Sequence, residues 1–499
     1  MSVRHVAVSV QPGHAVGFET QQEELAGVAL TVEGTLPDWV GGRLPRTGPG
    51  QFPAGETELR HWFDAYAMLR GFRIDGRANT VTYTNRFVRS EDFRYAREEG
   101  GVRRMLPGTP PDRPAWTRLR HSLTGAFQDN PSIGVVNVGG SITAITESPT
   151  GIRVDAETLE TTGRRDLTTG LEADFTLGHP HYDPGRETFV NLAVSYGRGV
   201  TYTLFERDPQ TTKPTVIGRV SLDDASYVHS FALTDEFAVV PAIPFGLDTT
   251  TLVTGALGDG TFLDAVTNFE DGIGGTTSTR DGSFLLLDRE TGEVVREVPA
   301  DPFFVYHHAN AFRDGDEVVV DLIAYEDERA MTKLTVDELA SPDPGVPQGD
   351  FVRYRLPLEE GRATRETLYE GQVEFPTVDY PAKLGEQYRY CYLAANDDGS
   401  SLPTRLVKYD LHDRSTTEWE PDGTAFPGEP LFERAPGADE EDVGVIVTTV
   451  LDADADRTEL VVLDARELQP VARAPCPHRL PFGFHGQFYR DGNRVRSMA

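Results

Sequence analysis

Apolar and polar positions alternate in short runs along nearly the whole chain, and Gly, Pro, Asp and Asn punctuate them. A period of two sends alternate side chains to opposite faces, the pattern of a half-buried strand. Sustained helical periodicity is scarce, and MTKLTVDELASP (331–342) is the clearest short helix. One pattern recurs. GIRVDAETLETTGR (151–164), SFLLLDRETGEVVRE (283–297) and ELVVLDARELQPVAR (459–473) each run from an apolar strand through Asp and a polar turn to a second strand. TRLVKYDLHDRSTTEWE (404–420) is a looser fourth copy. Repeated hairpins with no helices between them to build parallel crossovers predict the outer strands of propeller blades. The chain therefore reads as all-β, one β-propeller domain over residues 1–499, with β-sandwiches as the structural alternative.

Two segments break the rhythm. Residues 103–130 are rich in Pro and Arg, and residues 243–275 are Gly- and Thr-rich and partly apolar. Strand pattern resumes after each without a shift in composition, so both are predicted as inserts that cap one face of the propeller and shape a site. In the second, Ile243, Phe245, Leu247, Leu252, Leu257, Phe262 and Leu263 offer apolar contact, which predicts weak, peripheral attachment to a membrane surface.

Charge narrows the partners. Asp and Glu number 79 against 47 Lys and Arg, a net charge of −32, and only Lys213, Lys333, Lys383 and Lys408 are lysines. Such a surface repels nucleic acid and anionic lipid, so no charge-driven partner of either kind is expected. It suits a salt-rich cytoplasm, where molar salt shortens screening to about 3 Å. Two cysteines, Cys391 and Cys476, supply no disulfide framework. The first residues lack the apolar core of a secretion signal, and no run approaches the length of a membrane span. A soluble, cytoplasmic protein is expected.

Four of the twelve histidines share a context. His179 in FTLGHPHYDP, His229 in YVHSFALT, His307 in FFVYHHANAF and His485 in LPFGFHGQF each end or interrupt an apolar, aromatic-rich strand. Inner strands of a propeller run beside one axis, so residues remote in sequence can meet there. An all-imidazole set suits iron, copper or zinc and disfavours calcium and magnesium. Neutral imidazoles need carboxylates to take their other N–H. Glu147, Glu374 and Glu429, each in an apolar context that makes an unpaired charge costly, are the candidates.

These contexts resemble the carotenoid cleavage oxygenases, the retinal pigment epithelial membrane protein family, over essentially the full chain. The likeness starts at LPRTGPGQFPAG (44–55), HWFDAYAMLRGFRI (61–74) and VTYTNRFVRSEDFR (81–94) and closes at FGFHGQF (482–488), with all four histidine motifs in family order. It is strongest toward the β-carotene-cleaving and retinoid-isomerising branch. The resemblance implies a seven-bladed propeller with a loop-built cap and Fe(2+) on the axis, held by His179, His229, His307 and His485. It implies Glu147, Glu374 and Glu429 as the carboxylates orienting three of those rings. The family pattern places the ligand three residues before Asn310, which selects His307 over His308; His181 and His308 then face away. One departure touches the cap: the family's H-x-F-D-G is HWFDA here, with Ala65 for Gly.

The function so implied is dioxygenase cleavage of a conjugated double bond of a carotenoid with O2, β-carotene to retinal foremost. An apocarotenoid or stilbene-like substrate is the alternative within enzymes, and a carotenoid- or retinoid-binding propeller without turnover is the alternative outside them. LDADADRTEL (451–460) mimics a calcium loop but puts Arg457 at the glycine position and Leu463 at the glutamate position, and is predicted as an acidic hairpin turn. No phosphate-cradling loop, nucleophile elbow or dinucleotide fingerprint occurs.

Overall fold

The computed structural model describes residues 13–114, 116–117, 128–196, 199–223, 226–248, 251, 260–268, 281–396 and 400–492. Seven antiparallel sheets of four to six strands form the blades of a β-propeller, and two two-stranded ribbons accompany them. Blade 2 shows the plan: Gly134–Val138 next to the axis, then Ser141–Ile145, Thr150–Val154 and Thr161–Asp166 outward. Blade 5 repeats it with Phe304–Asp314, Glu317–Tyr325, Asp350–Pro357 and Thr364–Tyr369, and blade 6 with Val373–Thr377, Tyr390–Ala395, Arg405–Asp410 and Ser415–Trp419. The four recurring hairpins are the outer strand pairs of blade 2, of blade 4 (Gly282–Asp288 and Val294–Ala300, outside Ala232–Leu233 and Phe237–Ala242), of blade 6, and of blade 7 (Arg457–Asp464 and Pro470–Pro475), as the pattern predicts. The outermost strand of blade 2, Thr161–Asp166, alternates half-buried and exposed positions.

Inner strands look different. In blade 3, Phe175–Thr176 and His181–Asp183 both pair with Thr188–Tyr196, so the inner strand is cut in two. In blade 7, Ala425–Pro427 and Leu431–Arg434 likewise share Gly444–Asp452. The gaps contain His179 and Glu429. Ring closure uses both ends of the fold. Glu33–Gly34 adds to the outer edge of blade 7, and Tyr489–Arg490 adds to Gly41–Arg46 of blade 1.

Helix is confined to short pieces. The segment 331–342 forms two turns, Arg329–Thr332 and Val336–Leu339, where the periodicity predicts one helix. The cause is local: Thr335 takes an extended backbone and its side chain accepts from Glu338 N, starting a second helix. Glu91–Glu98, capped by Ser90, is a helix whose pattern is too short to stand out. The acidic turn at 453–456 joins strands Gly444–Asp452 and Arg457–Asp464 as a hairpin. No helix among the described residues is long and apolar enough to cross a membrane. Ala65 is buried at φ −60°, a conformation that any residue adopts, and Asn130 Nδ2 donates to its carbonyl at 2.8 Å. Alanine is therefore accommodated where the family pattern has glycine.

The apolar residues of the 243–275 insert correct one expectation. Ile243 and Phe245 are 1% and 2% exposed and belong to the main core, where Phe245 packs on Phe304. The ribbon Phe245–Leu247 with Val266–Asn268 turns them inward, so they present nothing to a membrane. Leu263 packs partly buried against the same core, and Leu252 and Leu257 lie outside the described residues.

Candidate metal centre

Extended backbone settles the two adjacent histidines. His307 turns toward the axis, and His308 turns into the blade, where its Nδ1 lies 2.7 Å from Ser230 Oγ. His181, two residues from His179, also faces away, with Nε2 2.7 Å from Phe231 O and Nδ1 bonded to the Tyr380 hydroxyl. Asn310 explains the spacing of its motif. Its Nδ2 donates to the carbonyls of Lys383 at 2.7 Å and Glu386 at 3.0 Å, and so pins the neighbouring loop to the strand that carries His307.

The remaining four rings gather. His179, His229, His307 and His485 are buried, at 1, 7, 8 and 5% exposure. The ring of His179 lies 4.7, 4.9 and 4.6 Å from those of His229, His307 and His485. One ligand nitrogen from each of His179, His229 and His307 falls within 4.8 Å of the others, and His485 stands 4.8 Å from His307 ring to ring. They come from four places on the propeller: the gap in blade 3, the lead into blade 4, the inner strand of blade 5, and the segment that closes blade 1.

Each of three carboxylates reaches one ring from behind. His229 Nδ1 is 2.7 Å from Glu147 Oε1, His307 Nδ1 is 2.5 Å from Glu374 Oε2, and His485 Nδ1 is 2.7 Å from Glu429 Oε1. An acceptor at Nδ1 keeps the proton there and leaves Nε2 as a lone pair. The Nε2 of His307 is buried without a partner among the described residues, and that of His229 faces His179 Nε2 at 3.0 Å. An unpartnered Nε2 on His307, beside ring nitrogens of His229 and His179 that face each other, fits a cation at the centre of the rings. The donor set therefore matches a transition metal.

A further layer holds the carboxylates. Tyr227 donates to Glu147 Oε1 at 2.9 Å and Tyr325 to Glu374 Oε1 at 2.6 Å. Gly486 N donates to Glu429 Oε2 at 2.9 Å, and buried Arg46 pairs with the same oxygen at 3.3 Å. Burial works against ionising Glu374 and Glu429. The adjacent histidines overcome it, helped by Tyr325 at the first and Arg46 at the second, and both carboxyls sit below their usual range. His307 is held low by burial despite Glu374, which favours the neutral ring that a metal needs. Burial and Glu147 raise the Tyr227 phenol, and burial and Glu374 raise that of Tyr325, so both remain donors.

Sequence reasoning missed these supports. Tyr227, two residues before His229 in YVHS, and Arg46 in LPRTGPG had local motifs to mark them; Tyr325 had none. Phe375 was missed as well. It adopts φ +54°, unusual for a bulky residue, and its N–H donates to Glu374 Oε2 at 2.8 Å. Its ring lies 5.7 Å from that of His307 and 5.3 Å from that of His485. Strain of this kind at a cluster of functional groups is where proteins keep it.

An apolar cavity opens over the rings and is bordered by His229, His307 and His485. Trp62, Phe63 and Phe484 pack into one aromatic wall, with Trp62 and Phe484 4.7 Å apart. Met105 and Leu106 of the 103–130 insert and Phe262 of the 243–275 insert also line it.

The model of the family described as retinal pigment epithelial membrane protein matches residues 17–490. The chain belongs to this family. It is 29% identical to the mitochondrial carotenoid-cleaving dioxygenase of Mustela putorius furo, over 94% of this chain and 95% of that one. It is 28% identical to the β,β-carotene 15,15′-dioxygenase of Rattus norvegicus, over 94% and 90%. Among solved structures, cobalt-substituted Synechocystis apocarotenoid oxygenase superposes with a TM-score of 0.83 at 25% identity, covering 96% of this chain and 98% of that one. The chain is an enzyme of the dioxygenase family that those names describe.

Proposed function

We propose that this protein cleaves a conjugated carbon–carbon double bond of a carotenoid with O2, and that Fe(2+) is held by His179, His229, His307 and His485. The observation that carries this is the convergence of four buried imidazoles, three backed by carboxylates, beneath an apolar, aromatic cavity. The overall change is R–CH=CH–R′ + O2 → R–CHO + OHC–R′, with both oxygen atoms in the products and no reductant consumed.

Iron bound there would supply the activation of O2 that an electron-rich double bond alone does not achieve. The protein supplies the rest. Glu147, Glu374 and Glu429 fix three imidazole tautomers, and Tyr227, Tyr325 and Arg46 keep the carboxylates in position. The equation transfers no proton, in keeping with phenols raised well out of the ordinary titration range. Trp62, Phe63, Tyr306 and Phe484 align a flat polyene and exclude water from it.

β-Carotene split to retinal is the reference substrate, because the resemblance is strongest to that branch. An apocarotenoid is the second reading, supported by the solved Synechocystis relative. The test is to load the chain anaerobically with Fe(2+), add β-carotene or an apocarotenal, admit O2, and identify the products by chromatography and mass spectrometry. Two carbonyl products per polyene consumed are expected. A fully iron-loaded protein that binds polyene and returns it unchanged would leave a binding propeller in place of an enzyme.

A further inference from the structure

The cavity is mostly apolar; Gln128, Ser132, Thr146 and Gln348 also line it, and a polar group stands at blade 6. There Gln372, Asn396 and Ser401, all of blade 6 or its loops, line the same space as the histidines. Asn396 ties the group together: its N–H donates to Gln372 O at 2.8 Å and its Nδ2 to Ser400 O at 3.3 Å. Ser400 is satisfied by its own loop, with Oγ donating to Leu402 O at 2.8 Å and accepting from Leu402 N at 3.2 Å. Its neighbour is not. Ser401 Oγ and Gln372 Oε1 are both buried with no hydrogen-bond partner among the described residues. A third such atom on the cavity wall, Gln128 Oε1, comes from the insert before blade 2.

Resting on the polyene reading above, we propose that Gln372 and Ser401 bind an oxygen-bearing end group of the substrate, a ring hydroxyl above all. Bare buried polar atoms are costly, and native proteins retain them where a ligand uses them. An amide oxygen only accepts, whereas a serine hydroxyl both donates and accepts. A substrate hydroxyl matches the pair, donating to Gln372 Oε1 and accepting from Ser401 Oγ. A hydrocarbon ring matches neither and leaves both unpaired. Gln372 also lies two residues before Glu374, which holds His307, so its place relative to the rings is fixed by the chain. Anchoring one end of a rigid polyene at that fixed offset decides which double bond lies over the imidazoles, so the same pair sets the bond cleaved.

The test compares β-carotene with its 3,3′-dihydroxy derivative. On the iron-loaded chain, kcat/KM is expected to favour the hydroxylated polyene by about 10–100-fold, the scale of a buried donor or acceptor left unpaired. Gln372→Leu combined with Ser401→Ala should bring the ratio close to one and spread cleavage over more than one bond. Ser401→Thr, which keeps the hydroxyl, should keep the preference. Quenching of Trp62 fluorescence in metal-free chain gives the binding preference without turnover. Equal constants for the two polyenes, or a double variant that slows both alike, would overturn the end-group site while leaving polyene cleavage standing. A hydroxyl preference in quenching without cleavage of either polyene would support the binding pair and remove the proposed reaction. Failure of both polyenes to quench would remove both.

Discussion

His307 and His308 are adjacent and chemically identical, and the backbone alone separates their roles. The sequence could mark both; alternation showed that only one faces the axis, and the family pattern chose which. What it could not show is the pairing of Glu147 with His229, because those residues sit on different blades and no local pattern records a contact of that range. Replacing any of the four inward histidines by Ala should abolish iron binding or turnover, while His308→Ala retains most activity. Glu147→Gln, Glu374→Gln and Glu429→Gln should each weaken metal affinity by roughly 10–100-fold. Tyr325→Phe should weaken it less, since it removes a support of Glu374 and leaves the carboxylate. Calorimetric metal titration ranks these variants, and unchanged affinity in all three Gln variants would show that the carboxylates do not serve the metal. His181 gives a pH dependence. Its Nε2 donates to Phe231 O, so its Nδ1 must accept from Tyr380, and burial lowers its pKa to about 4. As pH falls from 6.5, the unfolded chain takes a proton that the folded chain refuses until about 4. Stability is therefore lost across that window, by up to about 1.4 kcal/mol per pH unit. Melting curves of His181→Gln between pH 7 and 4.5 should be flatter than wild type; parallel curves would dismiss the effect.

At the scale of elements, the outer hairpins were legible because one face of each meets water and the alternation is clean. Inner strands were legible only in part: the blade 5 strand Phe304–Asp314 was marked by FFVYHHANAF, but Phe175–Thr176 and Ala232–Leu233 are only two residues long. The same limit misled the reading of Ile243 and Phe245. Apolar residues in a long insert suggest a surface patch, but a short ribbon folds these two into the core. Closure of the ring makes a sharper demand. A Cβ at Gly42 would meet Tyr489 O at 2.4 Å and Arg490 Cα at 3.0 Å, so the closing strand approaches too closely for any other residue. Gly42→Val should cost roughly 1–3 kcal/mol of stability and also weaken metal binding, because His485 lies just upstream of the displaced strand. Thermal melting and metal titration together test this; a destabilised variant with wild-type affinity would uncouple the seam from the site.

For the whole molecule, charge dominates. A net of −32 repels itself over about 30 Å at 0.01 M salt and about 3 Å at 1 M. Salt also screens surface pairs such as Arg355 with Asp314 and Glu317, but exposed pairs are worth only about 0–1 kcal/mol each. Relief of repulsion should win, and the melting temperature should rise steeply from dilute buffer to molar KCl. A flat or falling profile would mean that the acidic surface is not an adaptation to salt.

The shared seam of blades 1 and 7 would give a metal on the axis a mechanical part. Glu429 belongs to blade 7, while Arg46 belongs to blade 1 and His485 to the segment that closes it, so their contacts cross the line along which the ring would open. Whatever occupies the axis is then a fastener as much as a reagent: by mass action, its binding opposes every fluctuation that parts those blades. Amide exchange along Gly42–Arg43 and Tyr489–Arg490 becomes a gauge of axial occupancy that can be read without substrate and without oxygen.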